Sequence, residues 1–164
     1  MCGYAAICET TAVDAIDRVL IRELLGDARV SYQELGRVAR LSANTVADRV
    51  RRLRSSGVIS GYHAELNLAM LGRGLRLMSD VRLREGIDRS EFELGLAQIE
   101  QVVSAVRLTG DYDYLLQVAC TDSDEFEQVV DRLKHDHGVR ETRSRLVLHD
   151  VPIGLERLVN ASEF

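Results

Sequence analysis

Two periodicities that alternate between residues 75 and 150 constrain the fold more than any other feature of the chain. Alternation of apolar and polar residues predicts four strands, in the segments LRLMSDVRLRE, VVSAVRL, YDYLLQVAC and VRETRSRLVLHD. Apolar residues spaced three and four apart predict two helices, in DRSEFELGLAQIE and TDSDEFEQVVDRLKHDHG. The resulting order, strand, helix, strand, strand, helix, strand, is the ferredoxin-like βαββαβ pattern. Both helices then cover the same face of an antiparallel sheet.

Residues at the helix ends predict where these two helices begin and end. Ser90 and Glu93 stand three residues apart, the spacing of a capping box, and predict the start of the first helix. Gly138 follows a lysine and two histidines and predicts the end of the second helix.

The segment LTGDYDYLLQV predicts a hairpin with Gly110 and Asp111 in a two-residue turn. The facing pairs in this register are Arg107 with Tyr114, Ala105 with Leu116 and Val103 with Val118. Neither face of the hairpin is plainly polar, so we expect the face without helices to be covered as well. A second copy of the chain, packed face to face, would cover it, and the sequence therefore predicts a dimer.

Two acidic residues flank Tyr112 in this hairpin. In the predicted register Asp111 and Asp113 point to opposite faces, which makes them poor candidates for a cooperating acid–base pair. Asp113 lies beside Leu108 and Leu115, so a covered face would leave its carboxylate in need of a partner. The ammonium group of a ligand and an arginine of a neighbouring subunit are the two candidates.

Three short helices are predicted within the first sixty residues. The first begins after the N-cap Asp14. The second begins with a capping box formed by Ser31 and Glu34. The third is capped by Ser42 and ends near Ser55. The last two helices, joined by about three residues, form a helix-turn-helix.

The third helix presents a polar face opposite its apolar stripe, at 100° per residue. Asparagine suits adenine, arginine suits guanine, and aspartate accepts from the cytosine amino group. Arginines also neutralise phosphates, which makes binding sensitive to salt. The candidate DNA-contacting residues are Ser42, Asn44, Thr45, Asp48, Arg51, Arg52 and Arg54.

Charge is distributed unevenly along the chain. The net charge is −5, which alone argues against nucleic acid binding. Residues 14–62 nevertheless carry nine Arg against six Asp and Glu, a net +3, whereas residues 63–164 carry a net −7. This asymmetry predicts a basic contact surface on an acidic body. The alternative is a three-helix bundle with a solvated charged face, on which Asp48 pairs with Arg52.

The remaining segments connect or extend these two regions. Val58–Leu66 predicts a strand or wing after the third helix, and a helical turn is predicted near Leu155–Val159. The fold class is α+β. The predicted boundaries are residues 1–63 for the helix-turn-helix domain, 64–74 for a connector, 75–150 for the ferredoxin-like domain and 151–164 for a C-terminal tail.

No arrangement of residues predicts an enzyme, a metal site or a bound cofactor. The sequence has no glycine-rich phosphate loop and no placeable Ser/His/Asp or Cys/His set. His135 and His137 stand two residues apart and do not share a helix face. The three cysteines, Cys2, Cys8 and Cys120, are scattered, and the N-terminus lacks a basic signal region, which together predict a cytoplasmic protein. No apolar run reaches the ~20 residues of a membrane helix.

Four stretches, in this order and spacing, resemble the Lrp/AsnC (feast/famine) family of transcriptional regulators. They are AIDRVLIRELLGDARVSYQELGR, LSANTVADRVRRLRSSGVISGY, LTGDYDYLLQV and GVRETRSRLVL. Each stretch is weakly informative alone, but together they are specific. The resemblance covers roughly residues 13–149, which is nearly the whole chain.

The resemblance implies an N-terminal helix-turn-helix regulated by a C-terminal ferredoxin-like domain, and no enzymatic activity. It implies homodimers that assemble further, as tetramers or octamers. It also implies that amino acids or related small metabolites act as effectors. The positions that match the effector-binding region are Thr109, Gly110, Asp111, Tyr112, Asp113, Thr142 and Ser144.

The chain departs from the family pattern at a few positions. Arg40 stands where glycine is frequent, and a left-handed backbone there costs arginine ~1 kcal/mol relative to glycine. Gly36 replaces a frequent alanine, and either residue is expected to be small enough for the helices to cross closely. Ala43 stands where proline is common, and Ser144 stands where threonine is frequent.

The expected function is sequence-specific regulation of transcription, with double-stranded DNA and an amino-acid-like effector as partners. One alternative is a small-molecule sensor whose helical domain binds protein and not DNA. DNA affinity that collapses at physiological salt, with no preferred sequence, would favour this alternative. A second alternative is an enzyme of ferredoxin-like fold, which turnover in a metabolite screen would reveal.

Overall fold

The structure, a computed structural model, describes residues 13–160. Cys2 and Cys8 lie outside the described residues. The chain divides into two compact units. The first contains the described residues up to Ala64 together with those from Pro152 onward, and the second is Glu65–Val151. No helix within residues 13–160 is long and apolar enough to cross a membrane.

The described part of the first unit contains four helices. They are α1 (Ala15–Gly26), α2 (Tyr32–Ala39), α3 (Ala43–Ser55) and α6 (Glu156–Asn160). The predicted caps of the first three are confirmed, since the side chains of Asp14, Ser31 and Ser42 each accept a hydrogen bond from a backbone N–H three residues later. Their shared core is built from Leu20, Leu35, Val46 and Val50. The predicted helix-turn-helix is therefore present.

The turn between α2 and α3 is closed by backbone contacts. Arg40 has φ 54° and ψ 44°, the left-handed conformation expected there. The N–H of Leu41 donates to the carbonyl of Gly36 at 2.8 Å. A Cβ at position 36 would lie 2.6 Å from the carbonyl oxygen of Leu41. The expectation that alanine would fit equally well at Gly36 is wrong, because the clash would be with backbone that the turn holds in place.

The strand or wing expected over Val58–Leu66 is also wrong. After α3 the chain makes a turn in which Ile59 N–H donates to the carbonyl of Leu53 at 3.0 Å, and it then runs without regular structure. The described part of the first unit contains no strand with which it could pair. A short 3-10 helix, Leu68–Leu71, follows inside the expected connector.

The C-terminal segment packs on the first helix. The helical turn predicted near Leu155–Val159 is confirmed by α6. Arg18 of α1 donates through Nη1 to the carbonyl oxygen of Val159 at 3.4 Å. The last described residues therefore belong to the same compact unit as the helix-turn-helix.

The second unit has the predicted ferredoxin-like order. Its elements are β1 (Leu75–Leu83), α4 (Arg89–Leu96), β2 (Val102–Arg107), β3 (Tyr114–Cys120), α5 (Ser123–Asp136) and β4 (Val139–Leu146). The sheet order is β2-β3-β1-β4, and all neighbouring strands are antiparallel. Both helices pack on one face, where Val81, Phe92, Leu116 and Leu133 are among the buried residues.

Tyr114 anchors α4 to the sheet. Its ring lies 4.9 Å from that of Phe92, and its hydroxyl donates to Glu93 Oε1 at 2.7 Å. Burial, with the Glu93 carboxylate beside it, raises the pKa of Tyr114 to about 12. The hydroxyl therefore remains protonated and acts as a donor throughout the physiological pH range.

The predicted capping box of Ser90 and Glu93 is wrong. The helix is capped two residues earlier by Asp88, whose side chain accepts from Glu91 N–H at 2.9 Å. Glu93 instead binds Tyr114. Because Glu93 is engaged by Tyr114, it does not complete a capping box with Ser90, and Asp88 caps the helix instead.

The predicted hairpin register is confirmed near the turn and wrong at the far end. Arg107 faces Tyr114 and Ala105 faces Leu116, as expected. Val118, however, faces Val102 and not Val103, because the register shifts between Val102 and Ser104. This bulge inserts one extra residue into β2.

Candidate functional sites

The exposed surface of α3 carries all seven candidate DNA-contacting residues. Ser42, Asn44, Thr45, Asp48, Arg51, Arg52 and Arg54 are all exposed. The Ser42 hydroxyl caps the helix and lies 2.8 Å from the Thr45 hydroxyl. The Asn44 amide makes no hydrogen bond within the described residues. The helix therefore has a free amide close to its N-terminal end.

Two of the arginines on this surface make only weak interactions with other side chains. Arg51 donates to Asp48 at 2.8 Å, but both side chains are about three-quarters exposed, so the pair contributes little to stability. The Arg54 guanidinium lies 5.6 Å above the ring of Tyr62. The alternative pairing of Asp48 with Arg52 is wrong, because Arg52 binds a different aspartate.

That aspartate, Asp17, is a buried charge between α1 and α3. Its side chain is 1% exposed and accepts from Arg49 Nη1 at 2.8 Å and from Arg52 Nη2 at 2.6 Å. Arg49 Nη1 also lies 2.6 Å from Asp14. Two aspartates of the first helix region thus hold two arginines of the recognition helix, in a cluster whose formal charges balance.

The electrostatics of this cluster favour the charged forms. The backbone N–H of Asp17 and the guanidinium of Arg49 hold the pKa of Asp14 below its ordinary value. Hydrogen bonds to Asp14 and Asp17 raise the pKa of Arg49. These ion pairs join α3 to α1.

Sequence reasoning missed Asp17 and Arg49, although each carries a signal. Asp17 stands three residues before Leu20 and seven before Leu24, on the apolar stripe of its helix. Arg49 lies three residues after buried Val46 on the apolar side of α3. An acidic and a basic residue, each on a buried stripe, predict an ion pair between helices.

The hairpin tip forms a second polar cluster. The Tyr112 hydroxyl donates to Glu141 Oε1 at 3.1 Å, and the Arg82 guanidinium lies 5.1 Å above the Tyr112 ring. Arg82 also donates to the carbonyl of Asp111 at 2.6 Å and lies 3.3 Å from Glu141. Burial, followed by the nearby Glu141 carboxylate, raises the pKa of Tyr112. Arg82 and Glu141 were not among the predicted effector-binding residues.

Asp113 has partners within the chain. One carboxylate oxygen accepts from Leu83 N–H at 2.9 Å, and the other lies 3.5 Å from Arg89 Nη2. The register of β1 against β4 shifts between Arg82 and Leu83, and the carboxylate satisfies the Leu83 N–H at this irregularity. The expectation that Asp113 needs a ligand or a neighbouring subunit as its partner is therefore wrong.

The remaining predicted effector residues do not form one surface in a single chain. Thr109, Gly110 and Asp111 are exposed at the hairpin tip, where Gly110 has φ 110°. Thr142 faces Val81 in the register, and the Ser144 hydroxyl lies 2.8 Å from that of Ser79. Buried Val81 belongs to the helix-covered face, so Thr142 and Ser144 lie on that side of β4. The neighbouring Glu141, which binds Tyr112, lies on the opposite face.

Comparison with known proteins assigns both units of the chain to known domain families. Residues 13–54 match the AsnC-type helix-turn-helix domain, and residues 78–153 match the Lrp/AsnC ligand binding domain. The HTH-type transcriptional regulator LrpA of Mycobacterium tuberculosis is 35% identical over 138 residues, which are 84% of this chain and 91% of that protein. The chain belongs to the Lrp/AsnC family of transcriptional regulators.

Other members of the Lrp/AsnC family show the same likeness. The Leucine-responsive regulatory protein of Escherichia coli is 32% identical over 142 residues, covering 85% of this chain and 87% of that protein. The regulator NMB0573 of Neisseria meningitidis, solved with L-Met, superposes with a TM-score of 0.81 at 29% identity, covering 90% of this chain and 99% of that one. The feast or famine regulatory protein Rv3291c of M. tuberculosis, complexed with L-methionine, gives 0.80 at 34% identity, covering 87% and 96%.

Replacement of the buried carboxylate tests the cluster that fixes α3 in this Lrp/AsnC protein. We expect Asp17→Asn to lower the free energy of unfolding by about 2–3 kcal/mol, less than for a wholly buried pair because half of the Arg52 side chain is in solvent. Urea unfolding followed by circular dichroism measures the change. Asp48→Asn, which removes an exposed pair on the same helix, should change it by under about 0.5 kcal/mol. Equal effects of the two variants would contradict the assignment.

Proposed function

We propose that this Lrp/AsnC regulator places the N-terminal part of α3 in the DNA major groove and reads base edges there. The observation that supports this most directly is the exposed polar face of α3, on which the free Asn44 amide lies one turn before exposed Asp48 and two turns before exposed Arg51. In a helix-turn-helix the second helix makes the base contacts.

The proposed contacts follow from side-chain chemistry. Asn44 suits adenine, because its amide both donates and accepts along one edge of that base. Arg51 suits guanine or a phosphate, since its pairing with Asp48 is exposed and easily exchanged. Arg54, stacked on Tyr62, is held at the far end of the helix and suits a phosphate. Arg52 keeps one edge on Asp17 and has its other edge available.

We also propose a dimer formed through the sheet face that the helices leave open. Val106 faces Leu115 across β2 and β3 on that side, and Val106 is 52% exposed. Leu108, on the same side of the hairpin, is 38% exposed. A second copy packed face to face would bury these residues, and it would supply a second recognition helix for a two-part DNA site.

The proposed ligand is an amino acid, bound near the hairpin tip. Two solved relatives were determined as complexes with L-methionine. In this chain Arg82 and Glu141 present opposite charges within 3.3 Å of each other beside Tyr112. Arg82 suits a carboxylate and Glu141 suits an ammonium group. A ligand that binds one assembly better than another shifts the population toward it.

Loss of the Asn44 amide should reduce sequence discrimination. We expect Asn44→Ala to weaken binding to the preferred site by about 1–3 kcal/mol and to leave binding to unrelated DNA almost unchanged. Fluorescence anisotropy with DNA from the upstream region of its own gene, titrated over a range of salt, measures both. Gln128→Ala, at an exposed position on α5, is the matched control. A wild-type protein with no preferred sequence, whose affinity collapses at physiological salt, would instead favour a protein partner for the helical unit.

Charge removal at the hairpin cluster should weaken amino-acid binding. In thermal-shift titrations against the twenty amino acids, we expect a binder to raise the melting temperature progressively with its concentration. At a hundred times its Kd, the bound amino acid should raise the free energy of unfolding by about 2.7 kcal/mol. Glu141→Gln should reduce that rise, because the ammonium partner is lost. Glu127→Gln, an exposed acid on α5, should not. An undiminished rise in Glu141→Gln would place the ligand elsewhere.

A charge on the open sheet face should dissociate the dimer. We expect Val106→Asp to give monomers in sedimentation at micromolar concentration, since two carboxylates would face an apolar interface. Leu94→Asp, at a 72% exposed position on α4, should leave the assembly unchanged. A monomeric wild-type protein at this concentration would refute the proposed interface.

A further inference from the structure

The turn between α2 and α3 contains an unusual residue, Arg40. It is the one non-glycine residue with positive φ within the part of the chain that the structure describes. Residues with a Cβ are disfavoured in this left-handed conformation, whereas glycine adopts it freely. Arginine at this position therefore destabilises the turn, and its side chain offers no compensating contact within the described residues.

The Arg40 guanidinium has no acidic partner in the described part of the chain, unlike those of Arg49, Arg51 and Arg52 on α3. Its side chain is exposed and makes no hydrogen bond or ion pair within residues 13–160. By contrast, Arg49 and Arg52 bind Asp17, and Arg51 binds Asp48. The positive charge of those three is partly offset by aspartates, whereas the charge of Arg40 is not.

Arg40 is also tied closely to the start of the recognition helix. Two trans peptide units separate it from Ser42, so the two Cα atoms are at most about 7.6 Å apart. Ser42 caps α3, and Asn44 follows in the first turn. Where the N-terminal turn of a recognition helix meets base edges, the chain that leads into it passes beside the DNA backbone.

We propose that Arg40 contacts a backbone phosphate of the DNA beside the groove that α3 enters. This inference rests on the proposed function. Arg40 positions the turn on the duplex and contributes affinity without reading sequence, because a phosphate carries no base information. The backbone conformation that opposes arginine in folding is then retained for a contact that forms only in the complex.

Three variants at this position separate charge from backbone conformation. Arg40→Gln removes the charge and leaves the backbone cost in place. We therefore expect the slope of log K against log salt concentration to become about 0.9 less steep, because one phosphate contact is lost. The affinity should drop about fivefold at 0.15 M salt. The loss should be equal for the preferred site and for unrelated DNA. Arg40→Lys keeps the charge and should keep most of the slope.

Arg40→Gly should change stability and binding in opposite directions. It relieves the left-handed cost, so the melting temperature should rise by about 2–4 °C, while DNA binding falls as in Arg40→Gln. Anisotropy titrations over a range of salt and thermal unfolding of the full chain measure the two effects.

The outcomes distinguish this inference from the proposed function. An unchanged salt slope in Arg40→Gln, with a reduced slope in Arg54→Gln, would overturn the role of Arg40 and leave DNA binding by α3 intact. An Arg40→Gly protein that is more stable and binds DNA as tightly as the wild type would overturn it as well. A wild-type chain without affinity for DNA would overturn the proposed function itself.

Discussion

The buried carboxylate of Asp17 determines how the recognition helix is held. It is withdrawn from water and bonded to two arginines of α3, so the cost of burying it is offset only while α1 and α3 keep their relative position. The apolar core around Leu20 and Val46 supplies the cohesion of the three helices, but it is not directional. The ion cluster adds direction, since its hydrogen bonds tolerate little rotation of α3. The proposed presentation of Asn44 to a base edge would benefit from this restriction.

The same cluster neutralises much of the positive charge of the helical unit. Counted along the sequence, the helical region is basic. In the structure much of that charge is occupied, because Arg49 and Arg52 share one aspartate and Arg51 has another. The acidic residues that lower the net charge here therefore hold arginines of α3 in place. Two arginines without an ion pair among the described residues, Arg40 and Arg54, lie just before and near the end of α3, and under the proposed function they would meet phosphates on either side of the groove.

Local patterns predicted most of the fold, and tertiary contacts account for what they missed. Caps at Asp14, Ser31 and Ser42 are decided within four residues, and the sequence alone was sufficient for them. The start of α4 was not, because Glu93 binds distant Tyr114 and leaves capping to Asp88. The candidate sites were also predicted only in part. The exposed face of α3 followed from periodicity, but the partners of Asp113 come from β1 and α4, which only the folded unit brings to the hairpin. The expected wing failed because its pairing strand is missing from the described part of the first unit.

The bond from Leu83 N–H to the carboxylate of Asp113 has a consequence for ligand recognition. It fastens the base of the hairpin loop to the central strand, while the backbone of Asp113 also bonds to Val81 and Leu108. The loop beside Tyr112 is thus ordered before any ligand arrives. A molecule that binds there exchanges side-chain partners of Arg82 and Glu141 and orders little additional backbone, so little conformational entropy remains to be lost. Discrimination among amino acids at such a site would rest on shape and charge, with loop closure playing a minor part.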